Sequence, residues 1–155
     1  MNPSSSNSLS VSQRVNAPPQ RVFNAWIDPS DLVNWIGPGN WRVTHAETDP
    51  RTGGSFRFRF HLDEEGRGVE ISGVYREFSP SSRLVFTWNP TGDLPFAPSE
   101  TVVTVDLIPI EGGTEVRITH EGFGKTELRN AHNQGWLSCC AKLVRILGPS
   151  LGNPK

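Results

Sequence analysis

The chain has 155 residues, with 15 basic and 16 acidic side chains and a net charge of −1. This length suits one ordinary domain and excludes two. The charge balance leaves no electrostatic footprint for a nucleic-acid backbone or an anionic membrane surface. Five Trp, eight Phe and one Tyr stand beside 15 Gly and 13 Pro, the mixture of bulky apolar groups and turn formers that a β-rich domain needs. No stretch approaches the ~18 apolar residues of a spanning helix. Met1 to Ser10 has neither the basic region nor the apolar run of a signal peptide. A soluble, cytoplasmic protein without membrane insertion is expected.

Met1 to Asn7 is rich in Ser and Asn and offers no apolar surface to offset ordering entropy. A single domain is expected over residues 9–148, with tails at 1–8 and 149–155. Leu9, Val11 and Gln13 alternate with Ser10, Ser12 and Arg14, which predicts a first strand ending near Val15. Pro18 and Pro19 suit the first turn of a helix carrying Val22, Phe23, Trp26 and Ile27 at helical spacing. Asp28-Pro29 restarts the chain, with Asp28 or Ser30 as N-cap. Leu32, Val33, Trp35 and Ile36 then predict a second short helix, ended by Gly37-Pro38-Gly39.

From Trp41 the period changes to two. Six strands are predicted: Trp41 to Thr48, Ser55 to Leu62, Val69 to Phe78, Arg83 to Asn89, Thr101 to Ile110 and Thr114 to Glu121. The short gaps between them favour antiparallel hairpins. The longest irregular stretch, Pro90 to Ser99, carries Leu94, Pro95, Phe96 and Pro98 and is apolar enough to cover something. Thr126 to Leu147 predicts one long helix with an apolar stripe through Leu128, Ala131, Trp136, Cys139, Cys140 and Leu143, stopped by Gly148-Pro149. The fold class is therefore α+β: a curved seven-stranded antiparallel sheet wrapped around a C-terminal helix, with two short helices after the first strand.

Several segments of this order resemble one family. They are Ala17-Pro18-Pro19-Gln20-Arg21-Val22-Phe23-Asn24-Ala25-Trp26 with Asp28-Pro29, Leu32-Val33-Asn34-Trp35, and Gly53-Gly54-Ser55-Phe56-Arg57-Phe58. Gly73-Val74-Tyr75-Arg76-Glu77-Phe78-Ser79-Pro80, Arg83-Leu84-Val85-Phe86-Thr87-Trp88, His120-Glu121-Gly122-Phe123 and His132-Asn133-Gln134-Gly135-Trp136 follow. Together they resemble the helix-grip superfamily (START-like, SRPBCC), and within it the family named after the C-terminal domain of the activator of the heat-shock protein 90 ATPase. The resemblance covers about residues 9 to 148. It implies a helix-grip fold and a pocket between sheet and helix, where members of the superfamily hold apolar ligands and some catalyse cyclisation or hydrolysis.

Phe56, Phe58 and Phe60 share one face of their strand, with Arg57, Arg59 and His61 outside it. The three rings either fill the core or line a pocket. The binding reading requires an enclosed cavity of at least ~300 Å³ beside them. Trp35 and Trp41 flank the Gly37-Pro38-Gly39 turn and are placed as lips of the pocket or as staples to the sheet edge; Trp88 has the same two readings. His120 shares parity with Val116 and Ile118, while His132 and Trp136 stand four apart on the helix, so both imidazoles are candidates to face one pocket. Tyr75 and Glu77 share parity with Ile71 and Gly73, which predicts an inward carboxylate needing a partner, with Arg83 the candidate.

The adjacent Cys139 and Cys140 suit neither a disulfide nor a metal site and read as buried thiols. No metal, cofactor or catalytic motif is expected: Cys-x-x-Cys, Gly-x-Ser-x-Gly and Gly-x-Gly-x-x-Gly are all missing. The reading is a monomeric or homodimeric binding protein for a small, mainly apolar or aromatic ligand. Trp35, Trp41, Phe56, Phe58, Phe60, Tyr75, Trp88, His120, His132 and Trp136 are its candidate ligand-binding residues. The alternatives are a cyclase- or dehydratase-type enzyme using a pocket His or Glu, and a chaperone partner that stimulates the heat-shock protein 90 ATPase.

Overall fold

A computed structural model describes residues 8–64, 66–92 and 100–148. Strand β1 (Ser8–Val15) is followed by helices α1 (Pro19–Ile27) and α2 (Pro29–Leu32). Strands β2 (Arg42–Thr48), β3 (Ser55–His61), β4 (Gly68–Ser79), β5 (Arg83–Gly92), β6 (Thr101–Ile110) and β7 (Gly113–Glu121) come next, and helix α3 (Thr126–Leu147) closes the order. One antiparallel sheet runs β1-β7-β6-β5-β4-β3-β2. Every neighbour from β2 to β7 is also the next strand in sequence, as short hairpin gaps require, and β1 joins last on the free edge of β7.

One face of this sheet is buried and carries the alternate residues of each strand, among them Val11, Phe58, Phe86, Val105 and Ile118. Helix α3 covers it with Trp136, Cys139, Cys140 and Leu143. The other face is charged, with Arg57 held 3.0 Å from Glu47 and Arg59 3.3 Å from Glu70. Among the described residues no helix is long and apolar enough to cross a membrane.

The short helices are fixed by local chemistry. Pro19 occupies the first turn of α1, where a missing N–H costs nothing. Asp28 rather than Ser30 caps α2, accepting the Ser30 N–H at 3.0 Å. Arg21 and Asp31 form a two-pronged pair at 2.8 and 3.2 Å that ties α1 to α2. Helix α2 ends at Leu32, sooner than predicted, and Val33 is exposed while Leu32, Trp35 and Ile36 turn inward.

Two further differences from the sequence reading have physical causes. Strand β5 continues past Asn89 to Gly92. Among the described residues Pro90 lies beyond the last β5–β6 pair, Trp88 with Thr101, where its missing N–H breaks no described ladder bond. The rest of the expected apolar loop, with Leu94, Pro95, Phe96 and Pro98, lies outside the described residues, as do the expected tails except Ser8, which opens β1. The second difference is in β4, whose register shifts between Tyr75 and Glu77. A bulge of one residue reverses the parity beyond it. Glu77, expected inside, is exposed and lies 3.5 Å from Arg83, and Phe78 takes the inward place against Phe23 at 5.2 Å.

Candidate functional site

Strand β3 places Phe56, Phe58 and Phe60 in one row, but the row meets different surroundings along its length. Phe56 lies opposite Gly73, where a Cβ would strike the Phe56 ring at 2.7 Å and the Thr87 carbonyl. That glycine lets the ring settle on the strand, where it packs on Phe58 at 4.9 Å, Phe86 at 5.3 Å and Tyr75 at 5.5 Å. Among the described residues these rings border a void of about 10 Å³, bounded also by Trp26 and Trp88. This end of the row is filled.

At Phe60 the packing opens into a cavity of about 180 Å³. Its sheet wall is Phe60, Ile71 and Trp88. Helix α3 supplies Leu128, Ala131, His132, Gly135, Trp136 and Cys139, a spacing that selects one helical face. The turn from Ile36 to Trp41 forms the third wall and is fastened to α3 from both sides. Lys142 Nζ donates to the Gly37 carbonyl at 2.8 Å, and the Gly39 N–H donates to Ser138 Oγ at 2.8 Å. Gly37 has φ of 104°, and a Cβ there would meet the Phe60 ring at 2.9 Å, so both the turn and the cavity wall require glycine at this point. Trp41 is half-buried and lies 5.6 Å from Phe60.

The volume falls below the ~300 Å³ that the binding reading requires beside the three rings, and it adjoins only Phe60, so the expected site built on all three is not met. About 150 Å³ suffices for a single benzene ring in an apolar engineered cavity. The space therefore matches one ring with a short substituent.

The candidate residues divide accordingly. Trp41, Phe60, Trp88, His132 and Trp136 line the cavity, whereas Trp35, Phe56, Phe58, Tyr75 and His120 do not. Trp35 is fully buried, donates from Nε1 to the Ala25 carbonyl at 2.8 Å and stands edge-on to Trp26 at 4.6 Å, which makes it a staple between the short helices. Tyr75 belongs to the filled end, where burial pushes its hydroxyl pKa up, with the Asp49 charge adding to the effect. Ile71, Gly37, Pro38, Leu128, Ala131 and Gly135 line the cavity without having been singled out. Ala131 and Gly135 carried a signal: two small residues four apart on the face that also bears His132 and Trp136.

The two histidines differ in their commitments. His120 is fully buried, and Trp136 Nε1 donates to its Nδ1 at 3.0 Å. Indole N–H is a donor only, so Nδ1 holds a lone pair and Nε2 carries the proton. Nε2 then donates to Thr101 Oγ1 at 2.7 Å, and Thr101 donates onward to the Trp88 carbonyl at 3.0 Å. Every polar atom in this chain is used. Desolvation, and then the neighbouring His132, hold the His120 pKa well below its ordinary value.

His132 donates from Nδ1 to the Leu128 carbonyl at 3.0 Å. Burial lowers its pKa too, with the Leu128 bond opposing, so the neutral ring keeps a lone pair on Nε2. That nitrogen has no hydrogen-bond partner among the described residues. The ring stands 5.2 Å from His120 and 5.0 Å from Phe123. Burial also pushes the thiols up, Cys139 to about 11 and Cys140 to about 12, which leaves both protonated and unreactive near neutrality.

A protein from Chromobacterium violaceum of known structure is similar over 93% of this chain and 99% of its own, with 26% identity and a TM-score of 0.83. One from Rhodobacter sphaeroides is similar over 94% and 95% of the two chains, with 26% identity and a TM-score of 0.78. The AHSA1 protein from Silicibacter pomeroyi shares the fold, with 24% identity over 90% and 96% of the chains and a TM-score of 0.78. A comparison with curated proteins gives no match. The family model described as activator of Hsp90 ATPase homolog 1-like protein matches residues 16–148. With the strand order, the covering helix and this match in agreement, the chain belongs to the activator of Hsp90 ATPase homolog 1-like family, within the SRPBCC helix-grip superfamily.

Proposed function

We propose that this protein binds a compact, neutral, mainly apolar ligand between β3–β5 and α3. One observation carries the reading: a cavity of about 180 Å³ persists beside an otherwise filled aromatic core, and among the described residues no charged side chain lines it. An anionic or cationic ligand would lose its hydration there without gaining a counter-charge. Apolar area supplies the affinity, and the free nitrogen of His132 supplies one polar contact.

Thermal unfolding in the presence of benzene, toluene, indole and larger lipids tests this. The one-ring compounds should raise Tm with concentration, by about 2.7 kcal/mol of added stability at a hundred times Kd, and the lipids should not. Ala131→Leu, which extends a side chain from the helix wall, should abolish the effect while the protein stays folded. A flat response to every one-ring compound overturns the proposal.

The cyclase- or dehydratase-type alternative is weakened by where its groups lie. Glu77 is outside, His120 is committed at both nitrogens, and His132 would have to move a proton alone. A second reading follows from the family's description, stimulation of the Hsp90 ATPase. Adding the purified chain to the chaperone at saturation should then raise its ATPase rate, and an unchanged rate disposes of it.

A further inference from the structure

The buried indole nitrogens are not all matched. Trp35 Nε1 donates to Ala25 and Trp136 Nε1 to His120. Trp88 Nε1 and Trp26 Nε1 have no hydrogen-bond partner among the described residues, although both tryptophans are at least nine-tenths buried. A buried donor without an acceptor is unfavourable, so two in one region mark a place that something else completes. Both tryptophans border the void of about 10 Å³, and Trp88 also lines the cavity of about 180 Å³. Ile36 borders both spaces as well, so the small void and the cavity share part of one wall, at Ile36 and Trp88.

A void of that size holds about one water-sized atom group. It is too small for a ring and suits a single oxygen. The ring of a ligand would occupy the larger space, against Phe60, Trp41 and Trp136, with its polar atom at the Trp88 end. Among the described residues the region offers two unmatched indole donors, the Tyr75 hydroxyl and no charge, which favours a neutral hydrogen-bond acceptor over a carboxylate or an amine.

We infer that the ligand is a neutral one-ring compound carrying a hydrogen-bond acceptor such as a ketone, ester or ether oxygen, and that Trp88 Nε1 receives it. This rests on the proposed cavity binding and adds the chemical class of the ligand and the residue that selects it.

Acetophenone and cumene are a matched pair, a carbonyl replacing a methyl-bearing carbon at nearly constant shape. Titrating each into the full-length chain and its Trp88→Phe variant gives four affinities. Cumene is the more hydrophobic, so the informative quantity is the ratio of the two within each protein. Trp88→Phe should weaken acetophenone relative to cumene by about three- to tenfold, the size of one net hydrogen bond. In the unmodified protein acetophenone should also move the Trp88 indole N–H proton resonance downfield, and cumene should not. The second readout stands even if Trp88→Phe fails to fold. If both compounds bind but the ratio and the indole resonance stay unchanged, the acceptor assignment is overturned and the cavity reading survives. If neither binds, both fall.

Discussion

The two ends of the β3 phenylalanine row present the same side chain at the same strand parity and end in opposite states. At Phe56 the space is closed by Phe58, Tyr75 and Phe86 around Gly73, leaving about 10 Å³. At Phe60 the facing helix offers Ala131 and Gly135, and the adjoining turn offers Gly37, so about 180 Å³ stays open. Whether an aromatic ring fills or lines a space is decided by the volume of the residues facing it. Small residues on α3 and the turn make the hollow, and large ones on β4 and β5 close the other end.

Substitutions along the row should break this contrast most visibly. Phe56→Ala removes a ring with close aromatic neighbours and should cost about 3–5 kcal/mol, read by urea unfolding, without creating affinity for one-ring compounds. Phe60→Ala removes a ring buried as deeply and should cost a similar amount, but it should also enlarge the cavity and admit larger apolar ligands. An unchanged ligand size preference in Phe60→Ala would erase the distinction between the two ends.

Acidification should produce the next largest effect. Burial holds His120 and His132 below their ordinary values, so the unfolded chain takes up protons before the folded one does. Their contribution to stability is therefore complete above about pH 6.5 and is lost progressively as the pH falls below it. Protonating His120 also sets an N–H against the Trp136 N–H. His120→Gln should flatten the dependence of Tm on pH between about 6.5 and 5. An equally steep profile in that variant would place the acid sensitivity elsewhere.

The smallest effect is at the hollow end. A Cβ added at Gly135 would meet Pro38 at 3.7 and 3.8 Å, ordinary contact, in the interior of α3. Gly135→Ala should therefore stabilise the protein by up to ~1 kcal/mol while trimming the cavity, and should weaken binding of one-ring compounds. A stabilised variant with unimpaired binding would mean that the ligand does not reach this wall.

The periodic parts of the chain were legible because periodicity reports directly on burial. The helix over Thr126 to Leu147 and the strands of the sheet follow from the apolar spacing, with ends shifted by a few residues at Trp41, Asn89 and Leu32. The inward Glu77 was misread because parity counting assumes an unbroken ladder, and the bulge after Tyr75 inserts a residue that no local pattern announces. Trp35 and Trp41 looked alike beside their turn. What parted them was the Ala25 carbonyl within reach of one indole and Phe60 beside the other, contacts between segments apart in the sequence.

The sequence by itself determined the element order, the buried face of each strand and the family, since all three rest on residue spacing and on short segments in a fixed order. Tertiary structure alone decided which aromatic residues line a cavity, its volume of about 180 Å³, and the opposite commitments of His120 and His132. A volume is what remains between side chains of different elements, and a hydrogen-bond partner such as Thr101 or Leu128 is chosen by the packing of those elements. Spacing places a residue on a face; what lies across from that face is set by the fold.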